Sequence, residues 1–299
     1  MLEVVGVPFN SAGSTGGRAG APAALRRAGL VGRLGAVDRG DLDVGRARPE
    51  RDAGSRLVAQ SALTVMTRSV RGAVRESVGA GQFPLVVGGD CPVLLGALRG
   101  AQDVAGRTAL LFVDGHEDAW PPRQSTTGEA ADCELGFALG RHRTELPADF
   151  VAELPELDPR DVVALGPRDA DELAGYGVDP LPPAVTLHRD DALTGDAATA
   201  ISSAVVRDFT ARRLPWWLHV DLDVLSTAAF PAVDYPQDGG LGWAELRQIT
   251  ASALQPGCLG MTVTIYNPDL DPAATHAQAV VDYLADTVGH GAPATTAAR

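Results

Sequence analysis

Short apolar runs closed by Gly, Pro or Asp recur along the whole chain, with helix-length stretches between them, and this alternation constrains the fold more than any other feature. The runs are Leu2–Val7, Pro84–Val87, Thr108–Val113, Asp161–Leu165, Ala184–Leu187, Trp216–Asp223 and Leu259–Ile265. Each is apolar on both alternating faces, which predicts strands buried on both sides in a parallel sheet. Between them, Pro22–Leu34, Ser55–Val78, Asp196–Arg213, Trp243–Leu254 and Ala273–Val288 are rich in Ala, Leu and Arg and predict helices. Strand alternating with helix specifies a three-layer α/β protein with a mainly parallel sheet flanked by helices. No repeat and no compositional shift marks a linker, so one domain is expected over 1–288, followed by a flexible tail over 289–299.

Charge and composition exclude several functions. The 299 residues carry 25 basic against 38 acidic side chains, a net charge of −13, the wrong sign for nucleic acid or an anionic membrane surface. All the basic residues are Arg, which removes Schiff-base chemistry and the phosphate-loop lysine. Three scattered cysteines, Cys91, Cys133 and Cys258, make no disulfide framework and fit a reducing cytoplasm. No apolar run is long enough to span a bilayer, and the first residues lack a basic leader. The expected partner is a small-molecule substrate.

In an open parallel sheet, side chains at the carboxyl ends of the strands converge on one edge. Acid-rich loops fall there: Gly88-Gly89-Asp90-Cys91, Asp114-Gly115-His116-Glu117-Asp118 and His219-Val220-Asp221-Leu222-Asp223. Asp114, His116 and Asp118 alternate, as do His219, Asp221 and Asp223, so extended backbone would put each set on one face. Carboxylates facing one another without Lys or Arg in either motif repel unless divalent cations neutralise them. Oxygen-rich ligation with one or two nitrogens suits manganese or magnesium better than structural zinc. Solvated helix-capping aspartates are the competing explanation, and the pairing of two such motifs at matching strand ends favours metal.

The ordered motifs GGD-C, DGHED, HVDLD and DYPQDGGL resemble those of the ureohydrolases, the arginases and agmatinases, whose pattern reads GGDH, DAHxD, SxDxDxxDP and PGxGxPxxGGL. The likeness runs from Gly6-Val7-Pro8 and Gly20-Ala21-Pro22-Ala23-Ala24-Leu25-Arg26, through Arg168-Asp169-Ala170-Asp171, to Tyr266-Asn267-Pro268. It implies an arginase-like fold, a binuclear manganese centre, hydrolysis of a guanidino C–N bond and a homo-oligomer. By the same resemblance Asp114 and Asp221 match bridging ligands, His116 and Asp223 the ligands of one metal, and Asp118 a ligand of the other. Asp118 also matches the group that orients and deprotonates the attacking water, and Asp171 an acid that holds the substrate's amino end.

Four departures shape the expectation. Cys91 stands where the family has a histidine ligand; it is either a softer ligand that favours zinc or a small buried residue under the sheet edge. Thr126–Asp132 matches the family's SGNxHG loop, with Ala131 in place of the proton-shuttling histidine and Glu129 in place of Asn. Glu129 and Glu134 are the nearest substitute acids, although Glu134 reads first as an ordinary charge at a helix start. Glu129 would also repel a substrate carboxylate and attract an ammonium. Ile265 replaces the glutamate that pairs with the guanidinium, so free L-arginine is expected to be a poor substrate. Ser226-Thr227 replaces the Asp-Pro that follows the third motif, and His219 replaces its first Ser; in phase with Asp221 and Asp223, His219 reads as a partner supporting the ligands, a replacement ligand or a hydrogen-bonded core histidine. Trp120 could wall the pocket or simply pack, and His142, His188, His276 and His290 have no partner motif.

A metal-dependent amidinohydrolase of a modified guanidine, releasing an amine with urea or a substituted urea, is therefore the first expectation. A non-catalytic or single-metal binding protein of the same fold is the second, and a zinc-dependent amide hydrolase the third.

Overall fold

The structure, a computed structural model, describes residues 1–289. Its strands are β1 (Leu2–Val7), β2 (Val37–Asp41), β3 (Phe83–Gly88), β4 (Ala109–Val113), β5 (Val162–Gly166), β6 (Thr186–Arg189), β7 (Trp216–Asp221) and β8 (Cys258–Thr264). The helices are α1 (Ala21–Arg27), α2 (Leu30–Leu34), α3 (Gln60–Gly79), α4 (Val93–Ala105), α5 (Glu134–Ala138), α6 (Ala148–Val151), α7 (Ala170–Gly175), α8 (Asp196–Ala211), α9 (Trp243–Ala253) and α10 (Thr275–Thr287). All eight strands join one parallel sheet in the order β2-β1-β3-β8-β7-β4-β5-β6.

Each inner strand sends alternate side chains to opposite faces, which is why its sequence is apolar throughout. Val4, Leu85, Leu111 and Leu218 pack on one side with Leu25 of α1, Phe209 of α8, Ile249 of α9 and Leu284 of α10. Val5, Val86, Leu110 and Trp217 pack on the other with Met66 and Val70 of α3, Leu98 of α4, Phe137 of α5 and Phe150 of α6. The three layers expected from the sequence are thus present.

Several boundaries differ from expectation. The stretch Pro22–Leu34 is two helices, because Gly29 adopts a left-handed conformation (φ 92°) between them. Edge strand β2 was not expected: Val-Asp-Arg-Gly-Asp has no apolar run, and its side chains are mostly exposed. Strand β7 stops at Asp221, and Leu222–Val224 forms a 3-10 turn. The expected tail lies outside the described residues apart from Gly289, as does His290. None of the described helices is long and apolar enough to cross a membrane.

The strand order reverses direction around the centre: β3 leads through α4 to β4, which lies beyond β8 and β7. Loops leaving the carboxyl ends of these inner strands therefore open a crevice, the usual position of a site in such sheets.

Candidate metal centre and active-site pocket

Three of the inner strands deliver the acids. Asp114 follows β4, Asp221 ends β7, and Asp90 and Cys91 follow β3. Two sterically tight points let the loops meet. A Cβ on Gly89 would lie 2.2 Å from the Phe9 carbonyl, and one on Gly115 would lie 2.9 Å from the Asp223 carbonyl.

The side chains do converge, but not along two extended rows. Asp114, His116 and Asp118 leave β4 in an irregular loop, and Asp118 sits at positive φ (43°), which a short polar side chain tolerates. Asp223 is turned back by the 3-10 turn, where Asp221 Oδ1 accepts its N–H at 2.9 Å. His116 Nδ1 lies 3.0 Å from Asp223 Oδ2 and 3.7 Å from Asp114 Oδ1. Among the described residues, four groups offer one ligand atom per residue within 4.8 Å of one another: Asp114, His116 and Asp118; Asp114, Asp221 and Asp223; Cys91, Asp118 and Glu134; and Asp114, Glu134 and His219.

The electrostatics are those of an acidic nest that needs cations. Burial, with the neighbouring Asp223 charge, raises Asp114 to about 7. Burial and like charges push Asp118, Asp221 and Glu134 well above the usual carboxylate range, and burial does the same to the Cys91 thiol. Burial disfavours charge on His116, but Asp223 and Asp114 outweigh it and hold the ring protonated. Among the described residues, the one cationic partner of these carboxylates is His116. Several buried atoms face the group without a hydrogen bond of good geometry: Asp114 Oδ2, both Glu134 oxygens and His219 Nε2. Hard oxygen donors, an imidazole and unpaired buried atoms fit divalent metal.

His219 is fully buried beside this group. Its ring stacks on Phe112 with centroids 5.2 Å apart, and Nδ1 is 2.7 Å from Thr262 Oγ1. Burial lowers its pKa to about 3, so it is neutral, and Nε2 stands 3.9 Å from Asp114 Oδ2.

A cavity of about 330 Å³ opens over the acids, walled by Trp120, Ala131 and Ile265 among others. Ile265 holds positive φ (71°), uncommon for a β-branched residue, and its N–H donates to the Gly89 carbonyl at 2.9 Å. Asp132, Asp169, Glu172 and Asp234 also line the cavity and give it an acidic rim.

Three sequence expectations need correction. Glu129 does not line this cavity: its Oε2 is 2.6 Å from Arg18, and its Oε1 accepts from the Tyr235 hydroxyl at 3.0 Å. A carboxylate already neutralised by an arginine has little charge left to recruit an ammonium or move a proton. Asp171 is exposed on α7, and Asp169 and Glu172 on either side of it reach the wall instead. Glu134 is no ordinary helix-start charge; it is fully buried and faces Cys91 and Asp118.

The sequence reading missed Arg18, Asp90, Asp234 and Tyr235. Arg18 is buried, with Nε 2.9 Å from Asp234 and a second nitrogen 3.6 Å from Asp90. The Asp90 carboxylate accepts from the Ser11 amide at 2.7 Å and from its hydroxyl at 2.5 Å. Asp90 and the Asp234–Tyr235 pair sit inside the quoted motifs, and Arg18 lies just before Gly20-Ala21-Pro22, so adjacency was the available signal.

Fold and site together define an all-parallel α/β protein with a buried, metal-type acidic centre at its carboxyl edge. A sequence model described as the Arginase family matches residues 2–289, and the chain belongs to that family. The arginase of Bacillus caldovelox is 28% identical over 255 residues, covering 82% of this chain and 83% of that protein. Arginase-1 of Oryctolagus cuniculus is 28% identical over 279 residues, 90% of this chain and 85% of that one. In structure, the B. caldovelox arginase superposes with a TM-score of 0.82 at 24% identity, covering 96% of this chain and 98% of that one.

Proposed function

We propose that the protein is a metal-dependent hydrolase that cleaves a C–N bond of a guanidino or amidino compound and releases urea or a substituted urea with an amine. The observation that carries this reading is the convergence of Asp114, His116, Asp118, Asp221 and Asp223 in one buried group below an open cavity. Asp114, Asp221, His116 and Asp223 would hold one ion, and Cys91 and Asp118, with Asp114 and Asp221, would hold a second. Manganese suits the first site, and Cys91 makes zinc acceptable at the second. Bound divalent cations supply water activation and stabilisation of developing negative charge.

The chain's own residues do the rest. Asp118 accepts the proton of the attacking water at a carboxylate oxygen. Trp120 and Ile265 wall the cavity and limit water around the reacting carbon. On the rim Arg18 offsets Asp234, and the acids Asp132, Asp169 and Glu172 that remain favour a cationic substrate. Ile265 offers the guanidinium no charged partner, which supports a modified guanidine over free L-arginine.

The test is a mass-spectrometric hydrolysis screen of guanidino compounds and acyl amides with Mn(II)- and Zn(II)-loaded protein. Turnover of a guanidine with Mn(II) is expected. Turnover of acyl amides alone supports the zinc amide-hydrolase reading, and no turnover by metal-loaded protein supports a binding protein. Sedimentation of the loaded protein tests the oligomer that the family resemblance implies.

A further inference from the structure

The group Cys91, Asp118 and Glu134 has a composition that the sequence motifs alone do not specify, because Glu134 lies outside every one of them. Glu134 opens α5 yet is 0% exposed, and no hydrogen bond of good geometry reaches either of its oxygens. Beside it stands Asp118, another acid, with a carboxylate oxygen within 4.8 Å of one of its own. A buried carboxylate without a donor costs several kcal/mol unless something cationic neutralises it. No arginine among the described residues pairs with it, and the neighbouring imidazole of His219 is held neutral, with Nε2 itself unpartnered. Glu134, His219 and Asp114 also offer ligand atoms within 4.8 Å of one another, so a second group of ligand-type side chains adjoins Glu134.

We propose that Glu134 is a metal ligand that replaces the imidazole missing at Cys91, so that the second cation is held by Cys91, Asp118 and Glu134 with Asp114 shared. The inference rests on the metal-dependent reading above and adds to it a ligand and a preference. Exchanging a neutral imidazole for a thiolate and adding a carboxylate makes this ligand shell more negative and softer. The second site therefore selects zinc or cobalt over manganese, while the His116 site keeps hard donors. A single protein then carries two unlike ions.

Cobalt(II) is the probe, titrated into metal-free protein under anaerobic conditions. Two ions per chain are expected by elemental analysis, with a sulfur-to-cobalt charge-transfer band that grows with the second equivalent. Glu134→Gln, which keeps the volume of the side chain, should weaken the second ion at least tenfold and leave the first unchanged; Cys91→Ser should abolish the band. A second ion held as tightly by Glu134→Gln as by the native protein, or two bound ions without the band, overturns the inference and leaves the hydrolase reading standing. Folded native protein that binds no cobalt overturns both. If Glu134→Gln does not fold, anomalous diffraction from cobalt-loaded native crystals decides: an ion within bonding distance of Glu134 supports the proposal, and ions elsewhere overturn it.

Discussion

The Arg18 guanidinium lies 2.6 Å from Glu129 Oε2, with both side chains almost wholly buried, and this contact determines what the pocket can ask of a substrate. The same guanidinium lies 5.8 Å above the Tyr235 ring, whose hydroxyl meets the other Glu129 oxygen. Arginine, acid and phenol form a cluster at the cavity wall, extended by the pairing of Arg18 with Asp234.

Breaking that unit from one side should be costly. Arg18→Met strands Glu129 as an uncompensated buried charge and should destabilise the protein by about 3–5 kcal/mol. The double variant Arg18→Met/Glu129→Gln should recover at least half of the loss, read as denaturant midpoints. Equal midpoints for the single and double variants would mean that the pair is not coupled.

Metal should stabilise the fold through Asp221. At a hundredfold excess over Kd a bound ion adds about 2.7 kcal/mol, several degrees in Tm. Asp221→Asn keeps the side chain's shape and its acceptance from the Asp223 amide, while Thr264 can turn its donation to the Val220 carbonyl and accept from the new amide; the proposed metal contact is weakened. The metal-free variant should melt no lower than metal-free native protein, because one like charge is gone, and its Tm should not respond to Mn(II). A full manganese shift in Asp221→Asn would remove that residue from the metal site.

Charge placed at the wall should change selectivity. Ile265→Glu puts a carboxylate where the cavity has none, and a charge-assisted pair of about 1.5–3 kcal/mol should lower KM for simple guanidinium compounds roughly tenfold to a hundredfold. Steady-state kinetics on a panel of guanidines checks this, and an unchanged KM would place the guanidinium elsewhere in the cavity.

Acid should weaken the ion network that Arg71 of α3 makes with Asp103 of α4 and with Glu153, just after α6. Burial disfavours ionised Glu153 and Asp103, yet Arg68 and Arg71 hold Glu153 low, and Arg71 and Arg99 do the same for Asp103. Arg71 bonds both acids, Nε to Asp103 at 2.6 Å and a terminal nitrogen to Glu153 at 3.0 Å. A carboxylate whose pKa is depressed by folding adds stability above its unfolded pKa of about 4 and loses it as pH falls through the folded value. Native protein should therefore melt above Arg71→Met at neutral pH, with the gap closing below about pH 4. A gap independent of pH would mean that Arg71 acts through packing of its stem.

The layers and inner strands were legible because burial on both faces leaves continuous apolar runs such as Ala-Leu-Leu-Phe-Val, which no exposed segment imitates. The Val37–Asp41 edge strand was not, since it is held by backbone pairing to β1 with little side-chain burial to mark it. At the site, five acids and imidazoles were visible as motifs, but their meeting depends on turns at Leu222 and Asp118 that alternation does not encode. Glu134 and Glu129 looked alike in sequence. What separates them is Arg18, over a hundred residues away, which neutralises one and leaves the other bare.

Strands β3, β8, β7 and β4 occupy the middle of the sheet, and the exposed β2 and β6 close its two edges. Amide protons should therefore exchange quickly along both borders and slowly along the four central strands. Warming should fray the margins while the acids keep their places, so the capacity to bind metal should vanish with the last cooperative transition and not before it.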